Sequence, residues 1–465
     1  MGSTTSRLAV IAALATLWPT YASPQQGGAG ASGGLQVDIG VSTTLKYDDN
    51  FSMTPGGGTG DTVISDTKLS FGLTSKNSAH DLSILATGVL RFADIPGRSV
   101  RGFEDPTLKL RYVTDSVNSR LTLTGSYRDV DRDFLNPFQV EREEQQFGTL
   151  VGNGGSLRDT NLGLKYEVGL TAPLGFTLDL KHAEKDYSNV VNPRIFDTET
   201  NSATGTLSFR LSPVATARLV AGLSRYEAND AFQTERTTKD LSLGLAYEIN
   251  SVLTFDGQIG LTDVETVRNT GTNNRDGVSS DLRLTKALPN GSAFGAFRSS
   301  VNQNGRRSTL TFGRDLQLPR GNLRASLGVT DGDIGDMGWI ASVAYSIQMP
   351  SDTLTLSLDR TASTNNNDQE VVDTRIGVNY THPIDTLSRL RLSLDWGEQD
   401  TSTSIFAAGD TVELTTLQAT YSRDLTADWN LTGGVEYRLR KETGLADADS
   451  TSLFVTLGRN FSYRP

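Results

Sequence analysis

The sequence predicts an all-β fold: a transmembrane, antiparallel up-and-down β-barrel of about 22 strands, within a range of roughly 18–24, with no plug domain. Three observations predict it. Apolar and polar residues alternate in segment after segment from Leu35 to the C-terminus, the pattern of strands with one oily and one wet face. The connections between those segments alternate between tight and long, as when the two ends of a barrel face different compartments. No long uninterrupted apolar run follows residue 22, which excludes spanning helices. Hydrophobic content of 36% and a mean hydropathy of -0.31 suit a membrane wall in which only alternate residues meet lipid.

The N-terminus sets the compartment. Arg7 and the α-amine precede the apolar run Leu8–Trp18, which is too short to span a bilayer, and Thr20-Tyr21-Ala22 offers small residues for cleavage. Residues 1–22 are thus expected to be a signal peptide, cut after Ala22. The chain has no cysteine, so neither a lipoprotein anchor nor a disulfide framework is expected. Ser23–Gly34 (SPQQGGAGASGG) is a flexible leader by composition, far too short for a plug. Its lack of an energy-coupling segment argues at this point against an active siderophore-type receptor. Residues 35–465 are expected to form one barrel.

The first strand shows the pattern. Leu35, Val37, Ile39, Val41, Leu45 and Tyr47 point one way, and Gln36, Asp38, Ser42, Thr44, Lys46 and Asp48 the other. The same signature recurs in Leu82–Phe92, Leu162–Leu170, Leu241–Ile249, Trp339–Ile347, Leu390–Trp396 and Trp429–Leu439. Pro106 is expected at a strand start near a rim, because in mid-sheet it forfeits a ladder hydrogen bond. Aromatic residues such as Tyr47, Phe92, Tyr247, Tyr421 and Trp429 fall toward strand ends, where membrane interfaces favour amphipathic rings.

The last strand, Thr451–Tyr463, carries Leu453, Val455, Leu457, Phe461 and Tyr463 on its oily face, with Phe454 and Arg459 as exceptions. Alone it would suit a soluble sandwich. Thr456, Gly458, Phe461 and Tyr463, however, resemble the C-terminal sorting signal of outer-membrane β-barrel proteins. That resemblance implies the barrel-insertion machinery as a partner, integral residence in a Gram-negative outer membrane, and contact with its lipid and lipopolysaccharide.

The connections sort into two sets. The tight set is Ser75–Asp81, Thr114–Ser119, Thr171–Gly175, Ser212–Ala215, Asn250–Ser251, Leu288–Gly291, Pro319–Asn322, Pro350–Asp352, His382–Ser388 and Asp424–Asp428. The long set includes Asp48–Asp61, Asp129–Arg158, Asp186–Thr198 and Trp396–Asp410. Asp129–Arg158 is the longest. It would either fold into the mouth, where Asp131, Asp133, Glu141, Glu143 and Glu144 would make an acidic constriction, or stand outside.

If the oily faces meet lipid, the lumen carries Arg91, Arg111, Arg375, Arg389, Arg391, Arg438 and Arg440, opposed by carboxylates such as Asp395 and Glu436. These are the expected pore-lining residues. Arg375, Arg389, Arg391, Arg438 and Arg440 come from strands near the closing seam and would form a cationic ladder favouring anions. Cross-strand pairing into a hydrated wall is the competing expectation. A net charge of -11 argues against nucleic acid as a partner.

Catalytic and metal chemistry find little support. Gly56–Gly60 lacks the lysine and the strand-to-helix setting of a phosphate loop. Asp331, Asp333 and Asp336 lack EF-hand spacing. His80, His182 and His382 are scattered without a nucleophile pattern. No enzyme, cofactor or metal is expected. Finally, Tyr47-Asp48-Asp49-Asn50 resembles a turn found in β-barrel porins associated with exopolysaccharide loci. The resemblance implies an accessory barrel, and the expectation becomes passive passage of small or polymeric hydrophilic solutes, anionic sugars or exopolysaccharide among them. The alternative is a structural or adhesive barrel closed by its loops.

Overall fold

The computed structural model describes residues 34–56, 60–135, 154–190, 195–333, 337–365, 368–402 and 410–464. The expected signal peptide, and the leader up to residue 33, lie outside them. The described residues form twenty-two strands of 11 to 18 residues, numbered in chain order from β1 (Gly34–Asp48) to β22 (Ala448–Tyr463). Each pairs antiparallel with its chain neighbours, and β1 pairs with β22 from Asp48↔Ser452 to Val37↔Tyr463. The sheet therefore closes and leaves no edge to be covered. Among the described residues no separate plug domain occurs.

Alternation decides which face is which. On β10 (Glu235–Asn250), Leu241, Leu243 and Ile249 point outward and are exposed, whereas Ser242 between them is buried against the inner wall. Such an outer face is tolerable only against lipid. On β22, Leu453, Val455, Leu457, Phe461 and Tyr463 are all exposed outward. The two exceptions resolve differently. Phe454 turns inward beside Gly434, while Arg459 stays outside with its guanidinium 4.3 Å from the Phe461 ring centroid and 5.2 Å from that of Trp429. Such cation–π packing lets a cation sit at an interfacial rim.

All ten tight connections fall at one end, with both strand termini of the seam; this is the turn end. The long segments fall at the opposite, loop end. Three loop-end connections are also only two residues long, 96–97, 269–270 and 303–304. Gly97, Gly271 and Gly305 adopt positive φ there, which permits the tight reversal.

Pro106 departs from expectation. It lies inside β4 (Arg98–Asp115), not at its start. The register with β3 (His80–Ile95) slips between Thr87 and Val89, and Asp105 sits at φ +54. A bulge removes Pro106 from the ladder, so the missing N–H costs nothing.

Candidate transport lumen

Near the loop end the inner face changes character. Ile64, Ala93, Ile95, Val100, Val130, Leu157, Val264, Val371, Val412 and Leu414 are all buried, at positions where a hydrated lumen would take polar side chains. With buried Thr62, Thr262, Thr266 and Gln399 among them they make a partly apolar collar, clustered at Ile64, Ala93, Ile95 and Val100 and again at Val412 and Leu414, on which loop segments can pack. Phe51 and Met53 fold inward from the first loop, and Phe134 does so from the 3-10 turn Arg132–Phe134. The Phe51 and Phe134 rings lie 5.2 Å apart at 50°, a favoured tilted geometry. The base of the 129–158 segment therefore turns into the mouth. Its Asp131 and Asp133 are taken up by Arg98; Glu141, Glu143 and Glu144 lie outside the described residues.

The Tyr47–Asn50 turn is what holds the first loop down. Asn50 Nδ2 donates to the Asp449 carbonyl at 2.8 Å and to that of Thr54 at 3.2 Å, and Asn50 Oδ1 accepts the Thr54 amide at 3.0 Å. Asp49 accepts the Thr451 amide at 2.7 Å. Asp48 is fully buried and receives Arg438 at 2.7 Å, Ser450 at 2.6 Å and Lys46 at 3.3 Å. These bonds cross from the first strand to the last two, so they lock the seam at its loop end. Nearby, Arg91 grips Asp66 in a two-pronged pair at 2.8 and 2.9 Å, reaches Asp105 at 3.2 Å and stacks 3.7 Å over Phe134.

Across the mouth a second loop is tied down. Between β17 (Thr353–Thr364) and β18 (Glu370–Pro383), Asp368 adopts φ +58. It takes Arg268 of β11 (Leu253–Arg268) at 2.6 Å and faces Arg236 of β10 at 3.6 Å. Its carbonyl accepts Asn304 at 3.0 Å, and Asn302 and Gln303 bond Thr364 and Asn365 at 3.1 Å. Asn365 and Asp368 thus tie this connection to β10, β11 and the 302–304 turn, and tethered segments border the mouth on two sides.

The turn-end half is different. Its wall is rich in ion pairs along or between neighbouring strands: Lys165–Glu167 at 3.0 Å, Lys181–Asp179 at 3.5 Å, Arg218–Asp256 and Arg324–Asp315 at 2.6 Å. On the arc from β19 (Ser388–Thr401) through the seam to β2 (Thr62–Lys76) a cavity of about 440 Å³ is lined by Ser, Thr and Asn side chains and Phe454, with Lys68, Arg389 and Arg391 and one carboxylate, Asp38. A second cavity of about 530 Å³ shares Lys68 and adds Lys109, Arg128, Asp159 and Lys185. At the turn-end rim, Asp352 accepts His382 at 2.6 Å and Tyr380 at 3.0 Å. The His382 hydrogen bond first, and then those from Tyr380 and Ser351, hold its carboxyl below the usual range.

Most of the expected pore-lining residues are paired. Arg375 meets Asp373, Arg438 meets Asp48 and Glu436, Arg440 meets Glu442, Arg91 meets Asp66, and Arg111 lies 3.8 Å from Asp81. Glu436 also lies 3.5 Å from Lys46, and Arg389 reaches Asp424 at 3.4 Å. Asp395 faces Gly377 and Thr416 in register and is likewise engaged. The continuous ladder is therefore broken into separate pairs, with Arg391 as the member left over. Sequence reasoning missed the collar. Its signal is apolar residues on the inner face at one end of successive strands, as in Val63-Ile64 and Phe92-Ala93.

No family model matches the chain, and no curated protein matches it. Solved structures do. The FrpB iron transporter of Neisseria meningitidis (F3-3 variant) is similar with a TM-score of 0.58 at 8% identity, over 93% of this chain and 82% of that one. A variant of the ferric enterobactin receptor PfeA of Pseudomonas aeruginosa gives 0.55 at 9%, over 93% and 81%. The siderophore receptor PirA of the same organism gives 0.51 at 9%, over 92% and 80%. The shared feature is the fold, that of an outer-membrane β-barrel. These comparisons correct the expectation of a passive channel: the barrels it resembles are siderophore receptors and an iron transporter, the class that the short leader argued against.

Proposed function

We propose that the protein is an outer-membrane transport barrel that takes up a selected ligand, of the size of an iron chelate, through a loop-narrowed mouth. The observation that carries this reading is the inward anchoring of two loops, by Asn50 on one side and Asp368 on the other. A barrel of this strand number without such filling would be wide open. A mouth held by buried bonds instead makes entry depend on what the loops admit. The similarity to siderophore receptors and an iron transporter supports a ligand of that size.

The same proposal includes export with removal of residues 1–22, recognition of Thr456, Gly458, Phe461 and Tyr463 by the insertion machinery, and lipid and lipopolysaccharide around the outer face. The Tyr47–Asn50 turn supports kinship with the barrels of exopolysaccharide loci, and its structural work here is to fasten the first loop. The test is accumulation of iron-labelled chelates of differing charge by Gram-negative cells with and without the protein. Saturable uptake of a subset of chelates is expected. Uptake linear in concentration for every small solute, or none from a folded surface-exposed barrel, overturns the reading.

A further inference from the structure

We propose that the turn-end half of the lumen contains an oxyanion site, formed by Arg391, Lys68 and Lys109, for a compact ligand bearing several carboxylate or phosphate groups. The inference rests on the ligand-selective reading above and specifies the ligand's chemistry.

The first ground is the pairing pattern. Many other cations on the inner wall stand against carboxylates, as in Lys165–Glu167 and Arg218–Asp256. Among the described residues Arg391, Lys68 and Lys109 have no such partner. Their register neighbours are neutral: Arg391 faces Thr381 and Thr420, Lys68 faces Ser42 and Val89, and Lys109 faces Leu85 and Ser126. Carboxylates close by are already engaged. Asp66, one inward position above Lys68, is held by Arg91, and Asp38 by Gln36 and Ser462.

The second ground is shape. Arg391 and Lys68 line one cavity, and Lys68 and Lys109 line the neighbouring one, so Lys68 stands between the other two cations. At its far side Asp159 sits with Arg128 and Lys185, which sets a limit to the uncompensated stretch. The first cavity also carries hydrogen-bonding side chains such as Ser70, Thr420, Thr432 and Asn430, the apolar Ile39, Val41, Phe454 and Phe461, and the Asp38 carboxylate, which Gln36 and Ser462 hydrogen-bond.

Three like charges bordering two neighbouring cavities on one concave wall repel one another and focus a positive potential. An anion with several oxygens removes that repulsion and accepts charge-assisted hydrogen bonds from all three. The surrounding hydroxyls and amides then satisfy its remaining oxygens. A neutral ligand gains none of the first term.

The test uses the refolded full chain in detergent, with titration calorimetry against citrate, pyrophosphate and sucrose. Citrate or pyrophosphate is expected to bind and sucrose not, and the tighter of the two anions identifies the site as one for carboxylates or phosphates. Each of Lys68→Gln, Lys109→Gln and Arg391→Gln should weaken binding about tenfold, the usual scale for a hydrogen bond to a charged group. Lys165→Gln, whose lysine is already paired, should bind as the parent does. Heat-modifiable gel mobility confirms that each variant is folded. Absence of anion binding by the folded parent, or unchanged affinity in the three variants, or equal weakening by Lys165→Gln, overturns the proposal. The two readings separate cleanly: anion binding that survives without saturable cell uptake leaves the site standing and removes the transport function, and the reverse removes only the site.

Discussion

The two halves of the lumen use the same alternating strands to opposite ends. At the loop end the inner wall sets buried apolar residues among buried Thr, Asn and Gln, and charges are buried in pairs, Asp48 with Arg438 and Arg91 with Asp66. At the turn end most lumenal charges are also paired, but the hydroxyl-rich arc around the seam leaves Lys68, Lys109 and Arg391 facing cavities. A buried charge must have a partner because desolvation is otherwise uncompensated. A charge facing solvent needs none, and is free to meet a ligand. The difference separates residues that hold the mouth in shape from residues available for binding.

Substitution at the seam should break the comparison most visibly. Asp48→Ala leaves Arg438 and Lys46 without their shared buried acceptor, and a loss of about 3 kcal/mol is expected. The measurement is the temperature of the heat-modified gel shift, or the urea midpoint of refolded protein. Arg391→Gln and Lys68→Gln should instead stay within about 0.5 kcal/mol of the parent, the range of solvated sites. Equal losses at both ends would mean that the halves are not different in kind.

The collar gives the next largest effect. Met53→Ala empties a buried position beneath the first loop and should cost about 2–3 kcal/mol locally, read as faster protease cleavage within 49–61 with the barrel intact. Asp368→Asn keeps the shape of the second loop tip but removes the charge facing Arg236 and Arg268. A loss of about 1–2 kcal/mol is expected there, seen as faster amide exchange in 365–369 and a weaker dependence on salt.

The smallest effect belongs to the turn-end rim. The Asp352 carboxyl is held below its ordinary range chiefly by His382. A depressed carboxylate contributes stability above its unfolded value and loses it as pH falls through the folded one. Amide exchange in the 349–352 turn should therefore speed up only below the ordinary carboxylate range, and Asp352→Asn should abolish that step. A step that persists in Asp352→Asn would overturn the assignment to this carboxyl.

Much of the barrel was readable from the chain. Period-2 alternation places Leu241, Leu243 and Leu245 outside and Ser242 inside whatever else happens, because a one-residue slip would put every side chain on the wrong face. Parity, the approximate strand number and the ten tight turns followed from the same local pattern. Pro106 did not, because a bulge depends on both partners in the ladder and not on one strand's residues.

The sequence alone thus determined the wall: which residues meet lipid, which line the lumen, and which end carries the loops. Tertiary structure alone decided what fills the mouth and which lumenal charges are free. Asp48 and Arg438 are separated by most of the chain, and Asp368 and Arg268 by a hundred residues. Such pairs depend on closure of the seam and on which loops fold inward, and no periodicity in a single strand records them.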